Sequence, residues 1–450
     1  MGQITCNANE GGKYDVIIVG GGPSGCAAAI ASAREGKKTL LIERSSALGG
    51  MGTMGMVPCW CPYTDQEKII YKGIAEKIFW RSREYVPHLP EDQLDWVPIN
   101  AEALKRIYDE EVSGAGAEIL FLTQVCDVLH TDGRVEGVLV ANKAGLTIYR
   151  ADVFVDATGD GDIATQSGAD YNKGREGNVL QSTTLCFTMA NVDTYGYEHV
   201  LGNRMNNGDP YAKSKTLVID DIWQDEEFDY VIDRHFCNNM FAPGAVGFNA
   251  GHVEGVDPTD PIQLSKMLLR GRQLVHQFEK GLKKYAPEGF ANAWIAQTAP
   301  LPGIRESRRI ICDYELNVMD YLKRQSFEDE IGRNSYYVDV HKTTKELAED
   351  NEQTYEKYEH YGEGESHGIP YRCLLPKGLT NLLVAGRCIG SDSLMNGSIR
   401  VMPTCLVTGE AAGLAAAMAV DTDGDTRAID VSKLQEKLEG YGAYIHNATK

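Results

Sequence analysis

No uninterrupted apolar stretch in the sequence approaches the roughly 20 residues that a membrane-crossing helix requires, so a membrane protein is not expected. The residues from Met1 to Gly12 are polar and lack the basic start and apolar stretch of a secretory signal. Export by that route is therefore not expected, and a cytoplasmic location is. Positive charge is scarce: 44 Lys and Arg stand against 64 Asp and Glu, a formal net charge of -20. Such a field repels phosphate backbones and anionic lipid, which removes nucleic acid and membrane surfaces from the expected partners. Eleven cysteines lie scattered through apolar segments such as Leu185-Cys186-Phe187. They show neither zinc-type pairing nor iron–sulfur spacing, so no metal site is expected, and free thiols in a reducing compartment fit this usage. A P-loop, a local nucleophile signature and internal repeats are also missing.

What is present is an average globular composition, 43% hydrophobic and 24% charged over 450 residues. At roughly 150 residues per domain, two or three domains are expected. Tyr14 to Val19 is a short β-branched run that ends in a glycine turn and leads into the Ala-rich helical stretch Cys26 to Arg34. Gly36 closes that helix, and Thr39 to Ile42 reads as a second strand ending at Glu43. The unit is a parallel βαβ. Inside it lies Gly20-x-Gly22-x-x-Gly25, flanked by Pro23 and Ser24, in the strand and helix context that makes this pattern a dinucleotide fingerprint. Gly20 permits the tight turn, Gly22 lets the backbone approach a pyrophosphate, and Gly25 allows close helix packing. The helix N-terminus supplies N–H groups and positive dipole to phosphate. Glu43, with Arg44 beside it, is placed to accept hydrogen bonds from ribose hydroxyls.

Two further apolar strands occur far along the chain, Val153 to Ala157 and Asn381 to Ala385, so the nucleotide domain is expected to be discontinuous. Gln66 to Arg83 and Asn100 to Glu111 read as amphipathic helices, and Glu118 to Arg150 as a small meander with turns at Asp132-Gly133 and Ala144-Gly145. Helices are also expected at Ile262 to Tyr285, Glu315 to Lys323 and Val431 to Leu438. The resulting division assigns 13–65, 98–190 and 376–430 to the nucleotide domain, 66–97 to a helical excursion, 191–375 to a substrate or cap domain, and 431–450 to a C-terminal helix and tail.

The fingerprint alone does not choose between NAD and FAD, which share an ADP half. Three stretches together decide it by resemblance: Gly20 to Gly25, Ala157-Thr158-Gly159-Asp160, and Asn381 to Arg387 followed by Gly409 to Gly413. They resemble the cofactor motifs of glutathione-reductase-like FAD-dependent oxidoreductases. Within that group, Gly303 to Arg309, Ile369 to Arg372 and Arg400 to Cys405 resemble the bacterial FAD-dependent oxidoreductase family that also carries xanthan-lyase-like and heterodisulfide-reductase-subunit-A-like labels. The resemblance spans about residue 14 to residue 420. It implies an α/β fold with a Rossmann-like, discontinuous FAD-binding domain, made of a parallel sheet plus a β-meander, and an inserted α+β substrate domain. It also implies FAD as cofactor. Carried over by residue, it places Gly20, Gly22 and Gly25 at the diphosphate, Glu43 at the ADP ribose, and the loop of Gly49, Gly50, Met51, Gly52 and Thr53 on the ribityl side. Val125 or Cys126 would meet adenine through the backbone. Ala157, Thr158, Gly159 and Asp160 approach the diphosphate from the other rim, and Gly386 and Arg387 lead into the ribityl region. Arg400, Met402, Pro403 and Thr404 begin a helix whose N-terminus faces the pyrimidine end of the flavin.

For catalysis, Arg305-Glu306-Ser307-Arg308-Arg309 places three arginines in five residues. Arg305 and Arg308 suit a fork for a carboxylate, enolate or oxyanion; an interdomain ion-pair network is the alternative. In Tyr336 to His341, strand alternation puts Tyr337, Asp339 and His341 on one face, and His341 paired with Asp339 reads as a general base; a structural histidine is the alternative. Cys59, Trp60 and Cys61 read as pocket wall, a thiol relay or a flavin attachment point. His252 is a further pocket candidate. The expected activity is hydride transfer between a small polar, hydroxylated or sugar-like molecule and FAD. The alternatives are reduction of an activated double bond, or electron transfer with a redox partner. A small-molecule substrate is the expected partner, with a second copy of the chain or an electron-acceptor protein as further options.

Overall fold

The computed structural model describes residues 5, 7–205, 217–349 and 357–445. A seven-stranded sheet organises the larger part of it. β1 (Asn9–Val19) is its centre. Val16, Ile17 and Ile18 are fully buried, as a parallel strand covered on both faces requires. β1 pairs in parallel with β2 (Thr39–Ile42), which pairs in parallel with β3 (Glu118–Leu120). β4 (Gln124–Thr131), β5 (Arg134–Asn142) and β6 (Gly145–Asp156) make the expected antiparallel meander. β6 is shared along its length. Leu146 to Tyr149 pair with β5, whereas Phe154 to Asp156 pair in parallel with the late strand Leu382–Val384, and its other edge runs parallel to β1. Asn381, fully buried, locks the two parts together: its side chain exchanges hydrogen bonds with the backbone of Val135 and donates to the Asp152 carbonyl. The C-terminal ends of five parallel strands thus share one rim, the position at which α/β sheets bind ligands.

α1 (Pro23–Arg34) is buried from Pro23 to Ala33 and lies against the helix Met402–Val420. The approach is so close that a Cβ on Gly409 would stand 2.1 Å from the Ser24 carbonyl oxygen, and one on Gly413 2.1 Å from that of Ala28. This second helix differs from the sequence expectation. Its 19 residues are long and apolar enough to cross a membrane, yet 89% of the apolar window is buried inside the fold. Small residues (Ala, Gly, Thr) make it a core helix that packs backbone to backbone.

A second apolar core runs from Leu185 to Ala299 and takes in Met56. It is built on a four-stranded antiparallel sheet in the order Trp294–Thr298, Phe187–Ala190, Ala245–Ala250, Phe236–Ala242. The helix Pro261–Tyr285 covers it through Leu274, Val275, Phe278 and Leu282, with Asp260 capping its first N–H groups. Of the span 191–375 read as a cap, this part has its own core, whereas Ile310, Leu316, Tyr321, Ile331 and Tyr371 bury themselves in the first.

Three local expectations differ from the structure for identifiable reasons. The helix expected from Gln66 begins only at Ile74, because Asp65 ties the N–H groups of Glu67 and Lys68 into a turn and Gly73 takes φ +69°. The helix expected over Glu315 to Lys323 is confined to Val318–Leu322 by the Asn317 cap. The run Tyr336 to His341 is not a strand: the strand Glu330–Asn334 ends before it. The run lies instead on the helix Ser393–Ile399, where Ser398 Oγ donates to the Tyr336 carbonyl at 2.5 Å.

Candidate active site

A cavity of about 860 Å³ opens along the rim and continues under the second core. At one end lies the turn after β1. Gly20 adopts φ +100°, and its neighbour Gly25 has no room for a side chain, since a Cβ would lie 1.7 Å from the Gly20 carbonyl oxygen. Gly22 is the opposite case. A Cβ there meets nothing within 4 Å and would project into open space. Gly22 is also the N-cap of α1 and offers no side chain to the first N–H groups of that helix. A helix of 12 residues thus presents unsatisfied donors at a place where the protein leaves room.

Pro23, Ser24, Glu43, Arg44, Gly50, Met51, Val125, Ala157, Thr158, Gly159 and Asp160 continue the lining, with Arg387, Arg400 and Met402 on the late segment. The buried Glu43 carboxylate accepts from the N–H groups of Gly21 and Ser45 at 2.6 Å each, which fixes its position and leaves lone pairs for a ligand. Arg387 donates to Asp160 at 2.8 Å, while its other terminal nitrogen, like Nε of Arg400, is buried without a protein partner. Orphaned guanidinium donors, free helix N–H groups and a side-chain-free Gly22 suit an anionic dinucleotide; the residues present fit FAD.

Several residues named from the sequence lie off the lining. Gly49 and Gly52 press on Tyr108 and Leu104, and Thr53 donates to the Leu48 carbonyl at 2.6 Å, so the three shape the loop that carries Gly50 and Met51. Cys126 is exposed with its thiol turned to the Gln124 carbonyl; its neighbour Val125 faces the cavity. Gly386 packs on Ser24, Pro403 is buried, and Thr404 donates to Asn334 at 2.7 Å. Trp60 is fully buried in the first core, where its N–H reaches Ser82 at 3.1 Å. Arg308 sits at the outer rim, paired with Asp162 at 2.8 Å and over the Tyr171 ring. Asp156 was not foreseen as a site residue. Burial pushes its carboxyl up to about 6, and it gathers the N–H groups of Thr158, Ile163 and Ala164, shaping the loop after β6. An acid closing an apolar strand was its only signal.

At the far end the polar groups converge. Arg305, 6% exposed, donates to the Ser182 carbonyl and Thr184 hydroxyl at 2.7 Å and reaches Asn249 at 3.4 Å. Among the described residues no carboxylate pairs with it directly, and burial, then Arg400, lowers its pKa to about 10. His341 Nε2 stands 3.3 Å from Asp339, and burial, followed by the charge of Arg305, depresses the imidazole to about 3. Burial would raise Asp339, but His341 and the guanidiniums of Arg400 and Arg305 more than reverse this, so the carboxylate stays ionised. The tyrosine on Asp339 is Tyr336, whose hydroxyl donates at 3.1 Å; Tyr337 stacks on His360 at 4.9 Å and lines the cavity without joining that pair. His252 is present, with two groups no sequence signal marked, Asp233 and His235.

Cys59 and Cys61 both line the cavity, but the thiol that Cys59 meets is Cys237, not Cys61. The hydrogen bond with Cys237, then burial, holds Cys59 well above the usual thiol range, and burial pushes Cys61 up to about 12. Protonated thiols are weak nucleophiles. Acid precipitation of the yellow protein is therefore expected to release all of its flavin; colour retained in the pellet would contradict this.

Comparison with known proteins decides the family. A family model described as FAD dependent oxidoreductase matches residues 15–438. The chain belongs to that family. It is an FAD-dependent oxidoreductase. Among curated relatives of this oxidoreductase, a thiamine thiazole synthase of Methanococcus aeolicus is 35% identical over 155 residues, 33% of this chain and 55% of that protein. Digeranylgeranylglycerophospholipid reductase 2 of Methanopyrus kandleri is 30% identical over 159 residues, 33% of this chain and 38% of that protein. The matched span is thus about half or less of each relative's length. A solved structure of a geranylgeranyl bacteriochlorophyll reductase-like protein from Thermoplasma acidophilum aligns over 96% of this chain and 83% of that one. Its TM-score is 0.47 and its identity 14%.

Proposed function

We propose that this oxidoreductase dehydrogenates a small, hydroxyl-bearing polar molecule of polyol or glycoside type. The observation that carries the reading is the pairing of a neutral His341 with an ionised Asp339 beside Arg305, in the same cavity as the cofactor cradle. FAD, when bound, accepts the hydride. Arg305 and Arg400 orient the substrate oxygen and stabilise the negative charge that grows on it. His341 takes the hydroxyl proton at Nε2, and Asp339 supports the imidazolium that results.

The test is anaerobic bleaching of the purified yellow protein by grouped metabolites. Polyols or glycosides are expected to bleach it; bleaching by carboxylates or thiols and by no hydroxyl compound would sink the reading. A second reading, reduction of an activated double bond with Arg305 holding a substrate carboxylate, draws support from the reductase named among the relatives. It predicts that enoates reoxidise the reduced protein.

A further inference from the structure

Removing one proton from a hydroxyl needs one base, yet four titratable side chains of the cavity lining are linked one to the next. Asp233 Oδ2 lies 2.5 Å from His252 Nδ1, His252 Nε2 lies 3.0 Å from His341 Nδ1, and His341 Nε2 lies 3.3 Å from Asp339 Oδ1. The protons can be placed by counting. With one proton on each imidazole, two protons serve three contacts. The carboxylate of Asp233 holds the first on His252 Nδ1, so His252 Nε2 carries a lone pair and accepts from His341 Nδ1–H. His341 Nε2 is then left with its lone pair beside the Asp339 carboxylate, at the longest of the three contacts, where no proton lies between the two until a substrate delivers one. His252 is 5% exposed, so water does not break the chain there. Asp233 keeps 16% of its side chain accessible, about as much as His341 at 17%, and precedes Arg234, an exposed residue on the cavity wall.

We infer that Asp233, His252 and His341 form a proton wire leading from the reacting end of the cavity to the stretch of its wall beside the exposed Arg234. A proton accepted at His341 Nε2 is balanced by passage of the His341 Nδ1 proton to His252 Nε2 and of the His252 Nδ1 proton to Asp233, which releases it to water. Arg305 faces the wire, and burial, then its charge, keeps His341 neutral between transfers; the ring of His235 stacks on that of His252 at 4.2 Å and meets Arg305. The three histidines bring ligand-capable atoms within 4.8 Å of one another. The near-parallel rings of His235 and His252, 17° apart, aim their in-plane lone pairs along separate planes rather than at one ion. The inference rests on the dehydrogenase reading at one point, that the substrate proton arrives at His341.

The experiment has two arms. The first is long-range proton–nitrogen NMR of the FAD-loaded protein carrying labelled histidine, near neutral pH. His252 and His341 are expected as Nδ1–H tautomers, with Asp233→Asn abolishing that preference at His252 and Asp233→Glu keeping it. Either histidine protonated on Nε2 in the wild type, or one metal ion per chain by elemental analysis, overturns the wire. The second arm is anaerobic bleaching by sorbitol and methyl glucoside. Asp233→Asn, with FAD content and melting temperature retained, is expected to slow it by about 10-fold or more, within the range of proton-transfer catalysis. Its pH profile is also expected to change, and Asp233→Glu to restore both. A slower variant with an unchanged pH profile overturns the wire. If neither probe bleaches the wild type, the dehydrogenase reading falls, and the tautomers alone decide the wire.

Discussion

Gly22→Val is expected to give a folded protein that no longer holds FAD. A Cβ at Gly22 meets no protein atom within 4 Å, so the added side chain occupies only the space where a pyrophosphate approaches the N-terminus of α1. The direct cost to the FAD-free protein is that of a β-branched N-cap, about 1 kcal/mol. Affinity for FAD should fall by at least ~100-fold, about 2.8 kcal/mol. Because a ligand that binds the native state raises its stability, added FAD should raise the melting temperature of the wild type and leave that of Gly22→Val unmoved. Gly25→Ala is the contrasting case. Its Cβ would stand 1.7 Å from the Gly20 carbonyl, a clash with backbone that no rotamer relieves. It should cost about 3 kcal/mol or more of fold stability whether or not FAD is added. If the two variants behaved alike in the FAD-free state, the separate roles given to these glycines would be wrong.

The second large effect is expected at Arg305. Arg305→Met removes the cation that faces the reacting end of the cavity, and flavin reduction by the hydroxyl substrate should slow by about 10²–10³-fold. Arg305→Lys should not restore it, because the Ser182 carbonyl, the Thr184 hydroxyl and Asn249 are met by a planar fork that an ammonium does not reproduce. The pH dependence supplies the sign. In the proposed reaction His341 acts as a base in its neutral form, so activity should be lost as pH falls through its pKa. In the wild type burial and Arg305 hold that pKa at about 3, and rates should be flat through mildly acid pH. Without the arginine the pKa rises, and the acid limb should move to higher pH. Stopped-flow reduction across pH would measure both, and an acid limb that stays in place would show that Arg305 does not act on His341.

How much of this could be read from the chain depends on where the contacts lie. The cofactor cradle was legible because its chemistry is local: Gly20 to Gly25 form one turn, and Glu43 ends the strand that follows. The parallel strands near Val153 and Leu382 could be recognised as apolar runs ending in small residues, although their pairing with each other is remote. The reacting end was legible only in part. Arg305, Asp339, His341 and His252 could be singled out as residue types, but Asp233 and His235 lie in a loop whose neighbours carry no pattern. Their association with His341 is made by folding alone. Tyr337 was favoured over Tyr336 through strand alternation, and that argument failed because Tyr336 to His341 is held by the helix Ser393–Ile399 and not by a sheet partner. Of the readings open for Cys59-Trp60-Cys61, pocket wall fits Cys59 and Cys61, which line the cavity, whereas Trp60 turns into the core and Cys59 meets the distant Cys237, a pairing no local signal marked.

The close packing of α1 on the helix Met402–Val420 bears on how the holoenzyme is made. The glycine turn emerges early in synthesis, yet the surfaces that complete its binding site, Asp160, Arg387 and Met402, arrive far later. At about 5–20 residues per second, the wait between residue 25 and residue 400 is roughly 20 to 75 s. During that interval the Ala-rich face of α1 has no partner helix, and an apolar surface stands open on the ribosome. Cofactor loading is therefore a late event, coupled to closure of the C-terminal helix. The intervening time is when a nascent chain of this protein most needs protection from aggregation.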